Sequence, residues 1–208
     1  MSIGLPQRPL LRVLLVAVLP ALVVYVLALV LSAAAGIRTQ LVIRDLAQSC
    51  DSALGVGFLS NLGYLLWIAA AAIALFGAFS GLVAVRGRQR QLLMSGGFFS
   101  LLLCIDDMFL LHDRYIGSSF LYSLYAVFAL LILFRFREQV LALGGGSFLL
   151  AVVLLGLSVV IDQLQDVIPM PYTTLQLFEE GAKFLGIATW LAFWWQATAG
   201  AAKLKTPC

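Results

Sequence analysis

The sequence predicts an all-α fold: a polytopic bundle of six transmembrane helices with both termini in the cytoplasm. Of its 208 residues, 62% are hydrophobic and only 11% are charged, whereas about a quarter of an average soluble domain is charged. Charged or polar breaks divide the chain into apolar runs of about 20 residues, the length that crosses a hydrocarbon core of roughly 30 Å. We therefore expect residues 1–208 to form a single integral membrane domain.

Six segments are predicted to be helical. The first follows Arg8 and Arg12 and ends in small residues that resemble a secretory cleavage site. Its apolar part is longer than the core of a signal peptide, so we expect it to stay as an anchor. The third and the sixth segments are spans only if the membrane tolerates their charged residues. The predicted bounds are 10–35, 54–85, 92–116, 117–136, 145–168 and 173–200.

The basic residues predict the orientation of this bundle. Nine of the thirteen Lys and Arg fall on the side that holds both termini, which the positive-inside rule identifies as the cytoplasmic side of a bacterial inner membrane. Nine of the ten acidic residues lie on the outer side or in the outer half of a helix. Because Asp and Glu contribute little to orientation, topology does not explain where these acids lie.

Polar side chains from four predicted helices reach the same depth. At 1.5 Å per residue, Asn61, Asp107, Asp162 and Glu179 lie about 9 to 12 Å below the outer ends of their helices. Ionisable side chains inside membrane helices are costly and mark functional sites by default. The sequence therefore predicts that acids from separate helices meet around one outward-opening pocket.

The third helix contains the densest group of polar residues: Asp106, Asp107, His112, Asp113 and Arg114. On a regular helix Asp106 and Asp113 share one direction, Asp107 and Arg114 share another, and His112 faces away from both pairs. Gathering all five needs a distortion near Asp107 or a wide pocket. The structural alternative for His112 is a polar residue at the membrane interface, bonded to Asp113 or to a carbonyl group.

These residue types predict acid–base or metal-assisted hydrolysis. Carboxylates with one imidazole suit calcium, magnesium or manganese, and one His with one or two acids also suits zinc, so the identity of the divalent metal stays open. The candidate catalytic residues are Asp107, His112, Glu179, Glu180 and Lys183. The candidate metal ligands are Asp106, Asp107, His112, Asp162, Asp166, Glu179 and Glu180. The candidate pocket-lining residues are Asn61, Asp113, Arg114, Gln165 and Gln176.

The stretch "EEGAK", residues 179–183, resembles the first motif of the PrsW-type intramembrane proteases and, more distantly, that of the CAAX-processing proteases. The resemblance implies a metal-type hydrolytic site that the two glutamates serve. Those families place histidine motifs after the glutamates, whereas no histidine follows Lys183 in this sequence. The structural alternative is an ion pair within the helix that helps it insert into the membrane.

Two further stretches, "SNLGYL" (60–65) and "QLQDVIPM" (163–170), are similar to parts of the alkaline ceramidases, which are zinc-containing membrane hydrolases. The zinc site of that family also needs a C-terminal HxxxH pair, and the single histidine of this chain excludes a site of that type. The combination of DD…HD in one helix with EEGxK in the last resembles a bacterial family of six-helix membrane proteins that carries no known activity.

The leading functional hypothesis is a metal-binding, membrane-embedded hydrolase-type enzyme that acts on a lipid or lipid-linked substrate. The rival is a cation or proton transporter or channel, since Asp, Glu and His also form ion pathways. Against it, no Asp, Glu, Lys, Arg or His lies inside a predicted helix below Asp106 and Lys183 until the cytoplasmic helix ends and loops. A sensor or assembly subunit is a third alternative. Membrane lipid and a second copy of the chain, in a homo-oligomer, are the expected partners, and nucleic acid is not expected.

Overall fold

The computed structural model describes residues 15, 18–38, 50, 56–81 and 87–203. The chain divides into two compact units between Val56 and Gly57. In the first unit, helix α1 spans Leu19–Ala34 and has a proline in its first turn, where the missing N–H removes no hydrogen bond. The predicted helix 10–35 includes α1, and most of its residues before Leu19 lie outside the described part of the chain.

The described residues of the second unit form α-helices joined by short turns, with no strand among them. Four of its helices, α2, α3, α5 and α6, are long and apolar enough to cross a membrane. An all-helical protein with candidate transmembrane helices is thus what the structure shows. The helices of this unit are α2 (Phe58–Phe79), α3 (Arg88–Phe109), α4 (Leu111–Arg114), α5 (Ser118–Arg135), α6 (Arg137–Leu164) and α7 (Tyr172–Lys203).

Helix α7 is the central element of this unit, because it packs along both α6 and α2, while α2 packs along α3. The side chains of Trp190, Phe193 and Trp194 on α7 are almost fully buried, as is Phe148 on α6. The indole N–H of Trp190 donates to the Ser100 hydroxyl of α3 at 2.8 Å. This bond gives the buried indole N–H a partner, and leaving it without one would cost about 1 to 3 kcal/mol.

Close approach of α3 to α7 depends on Gly96. A Cβ atom at this position would lie 1.8 Å from the ring of Trp194, a separation that no side chain can adopt. Small residues at helix interfaces let neighbouring backbones and large side chains pack tightly in membrane bundles. Gly96 therefore provides the space that the Trp194 ring occupies.

The described helices differ from the predicted ones by a few residues at several ends, and two differences change the course of the chain. The segment predicted as one helix over 92–116 is two helices, because Leu110 adopts the left-handed conformation (φ 52°, ψ 45°) between α3 and α4. Helix α6 begins at Arg137 rather than at residue 145 and continues through a kink at Gly144, whose φ is 143°. Glycine accommodates a positive φ at no steric cost. Leucine adopts a positive φ, as at Leu110, only where its surroundings hold it.

The packing of Gly96 yields a stability prediction. Replacing Gly96 with alanine is expected to lower the free energy of unfolding by about 1 to 3 kcal/mol, because the new methyl group overlaps the Trp194 ring. The measurement is the thermal unfolding midpoint of the purified protein in detergent. Gly146→Ala is the matched control, since a Cβ there meets no described atom within 4 Å. An equal midpoint for the two variants would contradict this account of the packing.

Candidate functional site

A cavity of about 290 Å³ lies within the second unit, and side chains from all six of its helices line it. One part of its wall carries acidic and basic side chains, and the rest is aromatic or aliphatic. The cavity brings together residues that are far apart in the sequence. Eight of the residues predicted for a site line it: Asp106, Asp107, His112, Asp113, Asp162, Glu179, Glu180 and Lys183.

Asp106 and His112 form the most buried polar contact of the cavity wall. One carboxylate oxygen of Asp106 lies 2.9 Å from Nδ1 of the imidazole, and the other accepts the backbone N–H of His112 at 2.9 Å. The side chains are only 5% and 10% exposed, respectively. The Asp106 carboxylate therefore fixes both the backbone and the ring of His112, and this geometry assigns the Nδ1 proton to the contact.

The break at Leu110 explains how this contact forms. On a continuous helix His112 would face away from Asp106. The left-handed residue redirects the chain after α3, and α4 places His112 over the Asp106 carboxylate. A positive φ at a leucine costs roughly 1 to 3 kcal/mol, so the two Asp106 contacts help to hold the distortion. The sequence predicted that a distortion near Asp107 would be needed but could not place it.

Asp107 pairs with α7 instead. Its carboxylate lies 2.5 Å from Nζ of Lys183, and the Asp107 side chain is 10% exposed. This pair links α3 to the central helix. The two successive acids of α3 thus have different partners, one on α4 and one on α7. The sequence offered an ion pair within the last helix as a structural alternative for Lys183. Lys183 contacts Asp107 on α3 instead.

The remaining acids of the cavity are less fully paired. Asp113 is 55% exposed and lies 3.5 Å from Nε2 of His112. Asp162 accepts a hydrogen bond from the Gln163 amide at 3.0 Å. Glu179 and Glu180 are half-buried on α7. The charges that act on Glu179 are negative ones from Asp162, Glu180 and Asp113 and a single positive one from Lys183.

The aromatic part of the cavity was not predicted from the sequence. Trp190 contacts both Trp67 and Phe99 edge to face, with ring centroids 6.4 and 6.0 Å apart. The ring of Tyr122 lies 5.2 Å from that of His112. Aromatic residues are common in apolar spans, so their presence alone carried no signal. The spacing of Tyr122 and Tyr125, three residues apart on one face of α5, is the sequence feature that would have indicated them.

Five predicted site residues do not line this cavity in the described part of the chain. Gln165 is half-buried in the turn after α6. Depth alone does not decide burial, since a side chain such as that of Asn61 can match the others in depth and still face outward. The other four are exposed, and they are Asn61, Arg114, Asp166 and Gln176.

No three His, Cys, Asp or Glu side chains lie together in a metal-binding arrangement among the residues that the structure describes. Two of the predicted ligands, Asp106 and Asp107, already contact His112 and Lys183. The divalent metal ion inferred from the sequence stays a prediction.

A family model described as "Domain of unknown function (DUF8692)" matches residues 13–197. No curated protein matches the chain, and no solved structure matches it. The six-helix resemblance of the sequence is consistent with this match, which carries no activity with it.

The Asp107–Lys183 pair yields a second prediction. Asp107→Asn or Lys183→Met alone is expected to lower the free energy of unfolding by about 2 kcal/mol or more, because each leaves one charge without its partner in a largely buried place. The double variant should recover part of that loss, as coupled residues do in a double-mutant cycle. Thermal unfolding midpoints in detergent measure the effect. Strictly additive losses would show that the pair is not coupled.

Proposed function

The chain belongs to the DUF8692 family, a domain of unknown function, and we propose that it is a membrane-embedded hydrolase-type enzyme acting on a lipid or lipid-linked substrate. The observation that carries the proposal is the buried contact between Asp106 and His112 in the wall of a cavity with a polar and an aromatic part. An imidazole held by a carboxylate through one ring nitrogen is prepared to transfer protons through the other.

His112 supplies the proton in this proposal. Asp106 engages Nδ1, so Nε2 is the nitrogen that exchanges protons with water or substrate. The distance of 3.5 Å between Nε2 and Asp113 leaves that nitrogen without a short hydrogen bond to this carboxylate. A positioned general acid of this kind contributes roughly 10² to 10⁴-fold to a rate.

The other charged groups complete the reaction. Glu179 accepts a proton from water while the water oxygen bonds to an electrophilic carbon of the substrate. The bond to the leaving group breaks, and His112 gives that group its proton; the glutamate then returns a proton to His112. Lys183, held by Asp107, stabilises the negative charge that develops on the attacked group. One water is consumed, and each residue ends in its starting state.

A lipid substrate agrees with the form of the cavity. Ala126 on α5 and Gly156 on α6 line the cavity and are exposed on the surface of the unit. In this proposal, the hydrocarbon chain of the substrate reaches the membrane between the two helices, past these two small residues. The aliphatic wall that includes Val152 and Leu155 continues the apolar surface inward.

The proposed membrane topology follows from the positions of the basic residues. Arg88 begins α3, Arg135 ends α5 and Arg137 begins α6, so alternating helix directions place these three charges on one side. By the positive-inside rule that side is the cytoplasm of a bacterial inner membrane, and both termini lie there. With α1 and α7 added to the four candidate spans, the chain crosses the membrane six times.

A cation or proton transporter is the second candidate, favoured by the excess of carboxylates in the cavity. Its difficulty is the aromatic part of the wall. Trp190, which lines the cavity, packs against Phe148 and Trp194, and all three are at most 1% exposed. An ion passing inward from the acids would have to cross this packed aromatic cluster.

Lipid turnover tests the enzyme. The protein in nanodiscs made from a bacterial polar lipid extract is expected to convert one lipid class, followed by mass spectrometry. His112→Gln and Glu179→Gln should each reduce the rate by about 100-fold or more, and Asp106→Asn should reduce it less. Glu138→Gln is the control, because Glu138 is an exposed acid in the first turn of α6. Unchanged turnover in His112→Gln would contradict the proposal.

Proteoliposomes separate the two candidates. With a pH-sensitive dye inside, vesicles containing the protein are expected to hold a pH gradient as well as empty vesicles do, because the aromatic cluster closes the path below the acids. Dissipation of the gradient that disappears in Glu180→Gln would instead support transport.

A further inference from the structure

The cavity contains more negative charge than its own basic groups balance. Among the described residues, its wall carries six carboxylates, one lysine and one histidine. Asp106 and Asp107 contact those two basic groups, at 2.9 and 2.5 Å. Asp113 is 55% exposed and lies 3.5 Å from Nε2 of His112, and the other three acids make no ion pair with a described basic side chain. Like charges repel strongly in a region of reduced dielectric. A ligand with a positive charge would relieve that repulsion.

The aromatic residues indicate the kind of cation. Five aromatic side chains line the same cavity; the two on α5 are half-buried, and the other three are at most 4% exposed. Ring faces attract cations, and the best ligands are weakly hydrated organic ammonium groups that lose little on leaving water. The five are Trp67, Phe99, Tyr122, Tyr125 and Trp190.

An inorganic cation fits this wall less well. Calcium and magnesium need six or more oxygen atoms at short, regular distances. No group of three acidic, histidine or cysteine side chains in the described ranges is arranged to hold a metal ion. Separated carboxylates beside an aromatic wall match a larger cation, such as an organic ammonium group whose charge is spread over the carbon atoms around its nitrogen.

The size and the opening indicate an amphiphile. A volume of about 290 Å³ is close to the lower limit of small-molecule pockets, so it suits a headgroup rather than a whole lipid. Ala126 and Gly156 line the cavity and are exposed, so the wall between α5 and α6 is where an attached chain would reach the lipid. A phosphate in the headgroup would meet the free carboxylates and be repelled.

We propose that the cavity binds an amphiphilic organic cation, an ammonium headgroup on a hydrocarbon chain, between the carboxylates of Asp113, Asp162, Glu179 and Glu180 and the aromatic wall. Its identification as the substrate rests on the proposed function. Binding of the cation itself is measured separately from turnover.

The probe is octyltrimethylammonium, added to the purified protein in an uncharged maltoside detergent. Tryptophan fluorescence reports occupancy, since Trp67 and Trp190 line the cavity, and the thermal midpoint reports stabilisation. Wild type is expected to bind the ammonium probe saturably, while octyl glucoside, which has the same chain and no charge, and calcium chloride have no comparable effect.

Variants test the two halves of the wall. Glu179→Gln should weaken binding of the probe by about tenfold through loss of one charge. Glu138→Gln, in the first turn of α6, should leave binding unchanged. Tyr122→Leu should weaken binding several-fold, while Tyr122→Phe, which keeps the ring face, should retain it. Tyr122 is half-buried, and the midpoint without probe confirms that each variant is folded.

The further inference and the hydrolase can fail separately. Equal effects of the ammonium and the glucoside, unchanged affinity in Glu179→Gln, or preferential binding of calcium would each overturn the further inference. Saturable binding of the ammonium without turnover of any lipid keeps this inference and removes the hydrolase. Turnover of a neutral or anionic lipid without binding of the ammonium probe removes this inference and keeps the hydrolase.

Discussion

The cost of placing ionised groups in a low-dielectric interior is the constraint on which the rest of this structure depends. A charge without a partner in such a place costs several kcal/mol, and a pair is tolerated only where its geometry is good. The two successive acids of α3 meet this requirement with two different partners. Asp106 contacts His112 on α4, and Asp107 contacts Lys183 on α7. These two contacts set the positions of α4 and α7 relative to α3.

The same constraint explains the break in the third helix. A continuous helix would carry His112 away from Asp106 and remove both contacts that His112 makes with this buried carboxylate. With Leu110 in the left-handed region, the carboxylate accepts the backbone N–H of His112 and contacts its ring. Backbone strain of this kind persists only where surrounding contacts hold it, and it is concentrated at functional sites. The strained Leu110 and the buried contact between Asp106 and His112 therefore belong to one arrangement.

Trp190 contacts the helix interfaces on one side and the cavity on the other. Toward the helix interfaces, Trp190 bonds to Ser100 and stacks against Phe148, so α3, α6 and α7 are held together. Toward the cavity, the same ring forms part of the wall. A single residue thus belongs both to the core that stabilises the bundle and to the surface that a ligand would meet. A change at Trp190 would alter stability and binding together, whereas Tyr122 on α5 allows them to be examined apart.

The sequence by itself determined the helical class, because long apolar runs between polar breaks have few other solutions in a membrane. It also determined which residues are chemically unusual, since an ionisable group within such a run stands out without any structure. The acids on α3, α6 and α7 that were grouped by depth do lie around one cavity. Rise per residue is a property of any regular helix, so depth could be counted from the chain.

Only the tertiary structure decided which acid meets which base. Direction on a helix is predictable only while the helix stays regular, and the break at Leu110 changes it for His112. Asn61 and Gln176 have suitable spacing but are exposed, because burial depends on which face the neighbouring helices cover. The contribution of Trp67, Tyr122 and Trp190 to the wall was equally hidden. An aromatic side chain in an apolar run packs against lipid, core or cavity according to helix packing, and no local pattern distinguishes these three environments.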